Sequence, residues 1–222
     1  MKTPAPSSLP PPRVYLITDR HQSGGRPLAA VVGQALGVVL SGRTPAASVA
    51  VQLREKDLGG RELLSLAVPL RAVTRAAGVR FFVNDRIDVA LAAGADGVHL
   101  GTGALAVEDV AAIAPQLQIG VSTHSLDEVE RLRGDHRVAF ALFGPVHDTP
   151  SKRAYGPPLG LDGLRSACAT GVKVVAVGGI DASNARAAVD AGASGVALIR
   201  AVLSDRAPER ALSGIFEAIE ST

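Results

Sequence analysis

The sequence predicts an α/β protein built as a single (β/α)8 (TIM) barrel, and three observations carry that expectation. Eight short apolar, β-branched runs recur along 222 residues, each followed by an Ala/Leu-rich helical pattern. The runs are continuously apolar, as in a parallel sheet covered on both faces, instead of alternating. Finally, Ala92-Ala93-Gly94-Ala95-Asp96-Gly97-Val98 echoes Asp190-Ala191-Gly192-Ala193-Ser194-Gly195-Val196. Each stretch reads as a helix end, a glycine cap and a turn into a strand, about half the folded region apart. A doubly wound open sheet is the alternative architecture.

Residues 1–12, rich in Pro and Ser, read as a flexible leader without an apolar stretch of signal-peptide length. Residues 13–222 are expected to form the barrel. The strands are expected at Val14–Thr18, Val49–Leu53, Arg80–Val83, Gly97–Leu100, Gln118–Ser122, Phe140–Phe143, Lys173–Val177 and Gly195–Ile199. Helices are expected at Leu28–Leu40, Arg61–Ala77, Ile87–Ala93, Val107–Ala114, Leu126–Arg133, Leu161–Ala169, Ser183–Ala191 and Pro208–Ile219. Ser41–Pro45 breaks the first helix from the second strand. Asp148–Pro158 is a long polar loop whose Pro/Gly content predicts a flap over a site.

Composition narrows the function. The net charge of +2 carries no basic block, and with 3% aromatics and no Trp the chain has neither the charge nor the stacking surface for nucleic acid. No apolar run approaches the ~20 residues of a membrane span. The single cysteine, Cys168, permits no intrachain disulfide and lies in a helical pattern, where it reads as a structural thiol. A cytoplasmic protein is the expectation.

Polar residues collect at the C-terminal ends of the strands, where barrel chemistry sits. Val51-Gln52-Leu53-Arg54-Glu55-Lys56-Asp57 ends a strand at two cations spaced two apart. That spacing suits a phosphate or pyrophosphate, or alternatively a solvated loop. In Val83-Asn84-Asp85-Arg86, Asp85 is either a helix N-cap or a hard-oxygen ligand for Mg2+. After the sixth strand, Thr149, Ser151 and Lys152 offer two hydroxyls and a cation to phosphate oxygens. Val177-Gly178-Gly179-Ile180 precedes a helix at the strand where barrels commonly bind phosphate. Arg200 either adds a cation there or lies on the surface. His124, following Ser122 at the fifth strand, is either an acid–base group or a helix cap. His99 is either a core histidine or a ligand contact. The remaining histidines lack metal-ligand spacing.

Taken in order, these motifs resemble the thiamine phosphate synthase/TenI family from Val14-Tyr15-Leu16-Ile17-Thr18-Asp19-Arg20 to the eighth strand. The resemblance implies a (β/α)8 barrel that joins a hydroxymethylpyrimidine diphosphate to a thiazole phosphate with Mg2+. It implies Gln52, Arg54, Lys56, Asn84 and Lys152 on the leaving pyrophosphate, and Asp85 on the metal. Thr149, Ser151 and Gly179 would hold the thiazole phosphate, and Ser122 would lie near the pyrimidine. The implied partners are small phosphorylated molecules, with a homo-oligomer allowed. One departure stands out. Synthases usually carry Gly-Gln-x-Asp after the fourth strand, where this chain has Gly101-Thr102-Gly103-Ala104, so the second metal carboxylate is replaced by Ala104. That favours the family's other branch, metal-independent thiazole tautomerases, whose proposed base is matched by His124. Asn84-Asp85 and Thr149–Lys152 favour the synthase. A non-catalytic precursor-binding protein is the third reading.

Overall fold

The computed structural model describes residues 10–149 and 156–221. Its eight parallel strands are β1 (Val14–Ile17), β2 (Val49–Leu53), β3 (Arg80–Asn84), β4 (Gly97–Leu100), β5 (Gln118–Thr123), β6 (Val138–Phe143), β7 (Val174–Val177) and β8 (Gly195–Leu198). They pair in sequence order, and β8 closes onto β1 through Val14↔Val196 and Leu16↔Leu198. The open-sheet alternative is thereby excluded.

The α-helices among the described residues are α1 (Leu28–Ala35), α2 (Gly37–Leu40), α3 (Gly60–Ala76), α4 (Ile87–Ala92), α5 (Val107–Ile113), α6 (Leu126–Glu130), α7 (Gly160–Ala169), α8 (Ala185–Asp190), α9 (Arg200–Leu203) and α10 (Pro208–Glu220). The expected helix 28–40 is two helices, broken at Leu36. The short α9 after β8 was not expected. Its four residues are too few to show a helical period. The two echoing stretches are equivalent: Gly94 and Gly192 adopt positive φ (62° and 102°) at the ends of α4 and α8 and lead into β4 and β8.

Strand alternation divides the apolar residues into two cores. Val14 and Leu16 point outward into the large layer between sheet and helices, while Tyr15 and Ile17 point inward. Inside, Tyr15, Phe82 and Phe140 meet edge to face, with ring centroids 5.2–5.8 Å apart. Three aromatic rings fill one level only because neighbouring strands place small residues beside them. Gly97 is one such site, since a Cβ there would collide with the Phe82 ring. Above the rings, toward the strand C-termini, the inward positions of β2 to β5 become polar (Gln52, Asn84, His99 and Ser122), while β1 and β6 stay apolar at Ile17 and Leu142.

Of the leader, residues 10–12 are described. The Arg80 guanidinium donates to the Pro10 and Ala47 carbonyls (2.9 and 3.0 Å), tying the chain's entry to the floor of the barrel.

Candidate active site

Inward positions near the strand ends build one hydrogen-bonded chain across three strands. Asp85 anchors it. Its carboxylate accepts from the Gly101 N–H (2.7 Å) and from Asn84 Nδ2 (2.8 Å). A carboxylate only accepts, so Asn84 must present its amide nitrogen to Asp85 and its oxygen to Gln52. Gln52 answers with Nε2 at 2.9 Å. The direction of every amide is fixed from the charged end. Gln52 Oε1 is left buried without a hydrogen-bond partner among the described residues. Asp85 holds φ 57°, the one non-glycine residue at positive φ among those described. It does not cap α4, whose N-cap is Arg86 with no side-chain cap bond.

Beside this chain, β1 and β2 are locked together at their ends. Glu55 lies between the two cations in sequence, on the opposite face of the strand end, and is 5% exposed. It accepts from Thr18 Oγ1 (2.8 Å), the Arg20 N–H (3.1 and 3.2 Å) and Arg20 Nη1 (3.1 Å). Thr18 Oγ1 in turn accepts the Arg54 N–H at 3.0 Å. Arg20 also grips Asp57 with both guanidinium nitrogens. Arg54 thus has a fixed backbone and a partly exposed side chain, while Lys56 lies on the surface. Thr18, Arg20 and Glu55 were not assigned roles from sequence. The available signal was register, because a carboxylate between alternating cations must face the other way.

Across the barrel, Gly178 and Gly179 turn at φ 102° and 63°. A Cβ on Gly179 would lie 2.8 Å from both the Asp148 carbonyl oxygen and His147 Cβ, so the loop after β6 requires glycine here. The same loop is sewn to β7 by Val146 N–H to Val177 O (2.8 Å) and His147 N–H to Gly178 O (3.0 Å). Asn184 Nδ2 holds the Gly179 carbonyl at 2.8 Å. The segment carrying partly exposed Thr149 is therefore fixed against the glycine turn. Ser151 and Lys152, and the centre of the expected flap, lie outside the described residues.

Ser122, on the inner face of β5, lies with Oγ 3.0 Å from His99 Nε2. His99 is fully buried, and its Nδ1 faces the Tyr15 hydroxyl at 3.5 Å. Burial, with the Arg54 charge adding to it, pushes the imidazole down to about 3. His99 is thus a neutral core group tied to a site residue, which joins the two sequence readings. His124 does not cap α6; Ser125 does, accepting from the Glu128 N–H. The His124 N–H donates to Glu128 Oε2 (2.6 Å), and its ring faces the same carboxylate at 3.6 Å. Arg200, exposed, opens α9.

The sheet brings Gln52, Arg54, Asn84, Asp85, Ser122 and Gly179 to one end of the barrel, with Thr149 in the loop against the glycine turn. A closed barrel of parallel strands gathers these strand ends around one mouth, the end at which barrel enzymes carry their chemistry. The family model described as thiamine monophosphate synthase matches residues 14–202. The chain belongs to that family. It is 48% identical, over 89% of this chain and 90% of the relative, to a Geobacter sulfurreducens protein provisionally named thiamine-phosphate synthase. It is 39% identical to the thiamine-phosphate synthase of Roseiflexus sp. strain RS-1, over 94% and 85%. A solved structure, thiamine phosphate pyrophosphorylase from Pyrococcus furiosus, superposes with TM-score 0.81 at 33% identity, covering 97% of each chain.

Proposed function

We propose that this protein is a thiamine phosphate synthase. It joins 4-amino-2-methyl-5-hydroxymethylpyrimidine diphosphate to a thiazole phosphate, giving thiamine phosphate and pyrophosphate. The observation that carries the reading is the directed chain Gln52–Asn84–Asp85–Gly101 beside Arg54, facing the Gly178–Gly179 turn across one mouth. The names and coverage of the relatives support the same activity.

In this reading the C–O bond to the diphosphate breaks and its electron pair leaves with the pyrophosphate. The aminopyrimidine delocalises the positive charge left on carbon, and the thiazole nitrogen lone pair forms the new C–N bond. No side-chain base is required. Arg54, Lys56 and Lys152 stabilise charge developing on the leaving group, with Asn84 beside them. The thiazole phosphate is assigned to Thr149, Ser151 and Gly179. Gln52 is assigned to the pyrimidine diphosphate, and the fixed direction of its amide makes its free Oε1 an acceptor for an N–H such as the pyrimidine amino group. Ser122 lies on the pyrimidine side. His124, paired with Glu128, is spared a catalytic role in coupling.

The residues present fit Mg2+ held jointly with substrate. Asp85 retains lone pairs beyond its two hydrogen bonds, whereas no group of three His, Cys, Asp or Glu among the described residues is placed to hold a metal ion. Mg2+ commonly binds through one carboxylate, waters and substrate phosphates, which matches a site with Asp85 and with Ala104 in the second position. Bound there, the ion would neutralise charge on the diphosphate. We assign the protein to the cytoplasm; no helix among the described residues is long and apolar enough to cross a membrane.

The test is coupling of the two purified precursors, with thiamine phosphate and pyrophosphate measured together. Equimolar products are expected, and Arg54→Ala is expected to lower kcat by about 100-fold or more, as for loss of one preorganised charge contact. Absence of both products, or an Arg54→Ala enzyme with wild-type kcat, overturns the assignment.

A further inference from the structure

The polar line Tyr15–His99–Ser122 has two fully buried members, Tyr15 and His99, that the chemistry above does not use, and ends at the partly exposed Ser122. Its members lie on β1, β4 and β5 and run from the barrel's aromatic layer to the mouth. Tyr15 and His99 are both fully buried, and their pairing is the one hydrogen bond seen for the Tyr15 hydroxyl among the described residues. The imidazole is also held mechanically. It lies over Gly120, where a Cβ would come 2.7 Å from His99 Nδ1, and its ring centroid is 5.7 Å from Tyr15 and 6.0 Å from Phe140. The ring cannot turn over to exchange its two nitrogens without displacing an aromatic neighbour.

A clamped neutral imidazole has one remaining degree of freedom, the nitrogen that carries the proton. The partner at Nδ1 decides it. Burial raises the Tyr15 phenol well above its ordinary value, so it keeps its proton. A phenol O–H is a better donor than an imidazole N–H, and a phenol oxygen is a poorer acceptor than an imidazole nitrogen. The hydroxyl therefore donates to Nδ1, and the His99 proton resides on Nε2. Nε2–H then donates to Ser122 Oγ, and with its oxygen accepting from within, Ser122 turns its own O–H outward into the mouth.

We propose that Tyr15 and His99 are positioning residues that fix Ser122 as a hydrogen-bond donor, so that the site selects a substrate presenting an uncharged acceptor there, such as an aromatic ring nitrogen. This rests on the reading that Ser122 faces the pyrimidine of the diphosphate substrate. With the opposite tautomer Ser122 would spend its proton on Nε2 and offer only lone pairs to the substrate. Ring nitrogen and serine oxygen would then face each other as two acceptors.

Two measurements decide it. The first needs no substrate: long-range 1H–15N correlation spectra of 15N-histidine-labelled protein report which ring nitrogen is protonated. His99, identified by the signal lost in His99→Gln, is expected to show a protonated Nε2 and a bare Nδ1. A protonated Nδ1 overturns the proposal whether or not the protein couples precursors. The second is kinetic. Tyr15→Phe keeps the ring but frees the tautomer, and is expected to raise KM for the pyrimidine diphosphate about fivefold, the size of one net hydrogen bond, with KM for the thiazole phosphate unchanged. In a Ser122→Ala background the same substitution is expected to have no effect. His99→Gln, which keeps an N–H toward Ser122, is expected to retain more activity than His99→Leu. Equal losses for Gln and Leu, or a Tyr15→Phe effect that persists without Ser122, would reduce the line to packing and overturn the proposal. Failure to form thiamine phosphate in any variant or the parent would instead count against the synthase reading, leaving the spectra to judge the tautomer.

Discussion

Glu55 is the residue whose removal most directly tests how the cation-bearing loop is held. It is 5% exposed and accepts from the Thr18 hydroxyl and the Arg20 N–H, while Thr18 oxygen accepts the Arg54 N–H. Glu55→Ala leaves the Thr18 hydroxyl and the Arg20 N–H without their acceptor, whereas Arg20 Nη1 keeps Asp57. Each bond to a charged acceptor is worth about 1.5 kcal/mol, so the loss is about 3 kcal/mol. At an m-value of about 2 kcal/mol/M, the urea midpoint falls by about 1.5 M. Glu55→Gln retains one acceptor oxygen and should lose less than half of that. Because Arg54 is held through Thr18, Glu55→Gln is also expected to raise KM for the pyrimidine diphosphate while leaving KM for the thiazole phosphate unchanged. Asp57→Asn is the control: that carboxylate pairs with Arg20 on the surface, where water screens the interaction, and no resolvable midpoint change is expected. A Glu55→Ala midpoint no lower than that of Asp57→Asn would refute the reasoning.

Three further outcomes follow from the same geometry. His99 is held near 3 in the folded protein against an ordinary value of about 6.5, so the unfolded chain binds the extra proton as pH falls between those limits. Stability should decline through that window by about 1.4 kcal/mol per pH unit from this group, and His99→Gln should flatten the denaturation slope by that amount. Gly179→Ala places a methyl 2.8 Å from the Asp148 carbonyl at φ 63°, and is expected to weaken thiazole phosphate binding at least tenfold by calorimetry while sparing the pyrimidine diphosphate. Burial pushes the Cys168 thiol up to about 11, so iodoacetamide at pH 8 should label it far more slowly than free cysteine, and Cys168→Ala should leave coupling unchanged.

How much of this was legible in the sequence depended on the range of the interaction. The strands were readable because continuous apolar runs are a local pattern, and their order around the barrel follows from parallel βα chirality. The break at Leu36 and the four-residue α9 escaped because neither carries enough turns to show a period. Among site residues, Arg54 and Asp85 announced themselves as charges at strand ends. The direction of the Gln52 amide did not, since it is set by Asp85 two residues away along a hydrogen-bonded chain in space and on another strand in sequence. Glu55 and His99 were visible as residues but not as partners of Thr18 and Ser122, because those contacts join different βα units. Ala104 was the clearest departure from the family pattern, and the single Asp85 carboxylate with its open lone pairs is consistent with it.

The most direct test of the account is thiamine phosphate formation from the two phosphorylated precursors with Mg2+ titrated from zero, in the parent chain and in Ala104→Asp. The account predicts product that rises with Mg2+ in both, with half-saturation at lower Mg2+ in Ala104→Asp, because a second carboxylate adds a ligand to the one at Asp85. No coupling at any Mg2+ concentration, with a thiazole carboxylate phosphate still aromatised and that activity lost in His124→Gln, would contradict it and make the protein a tautomerase.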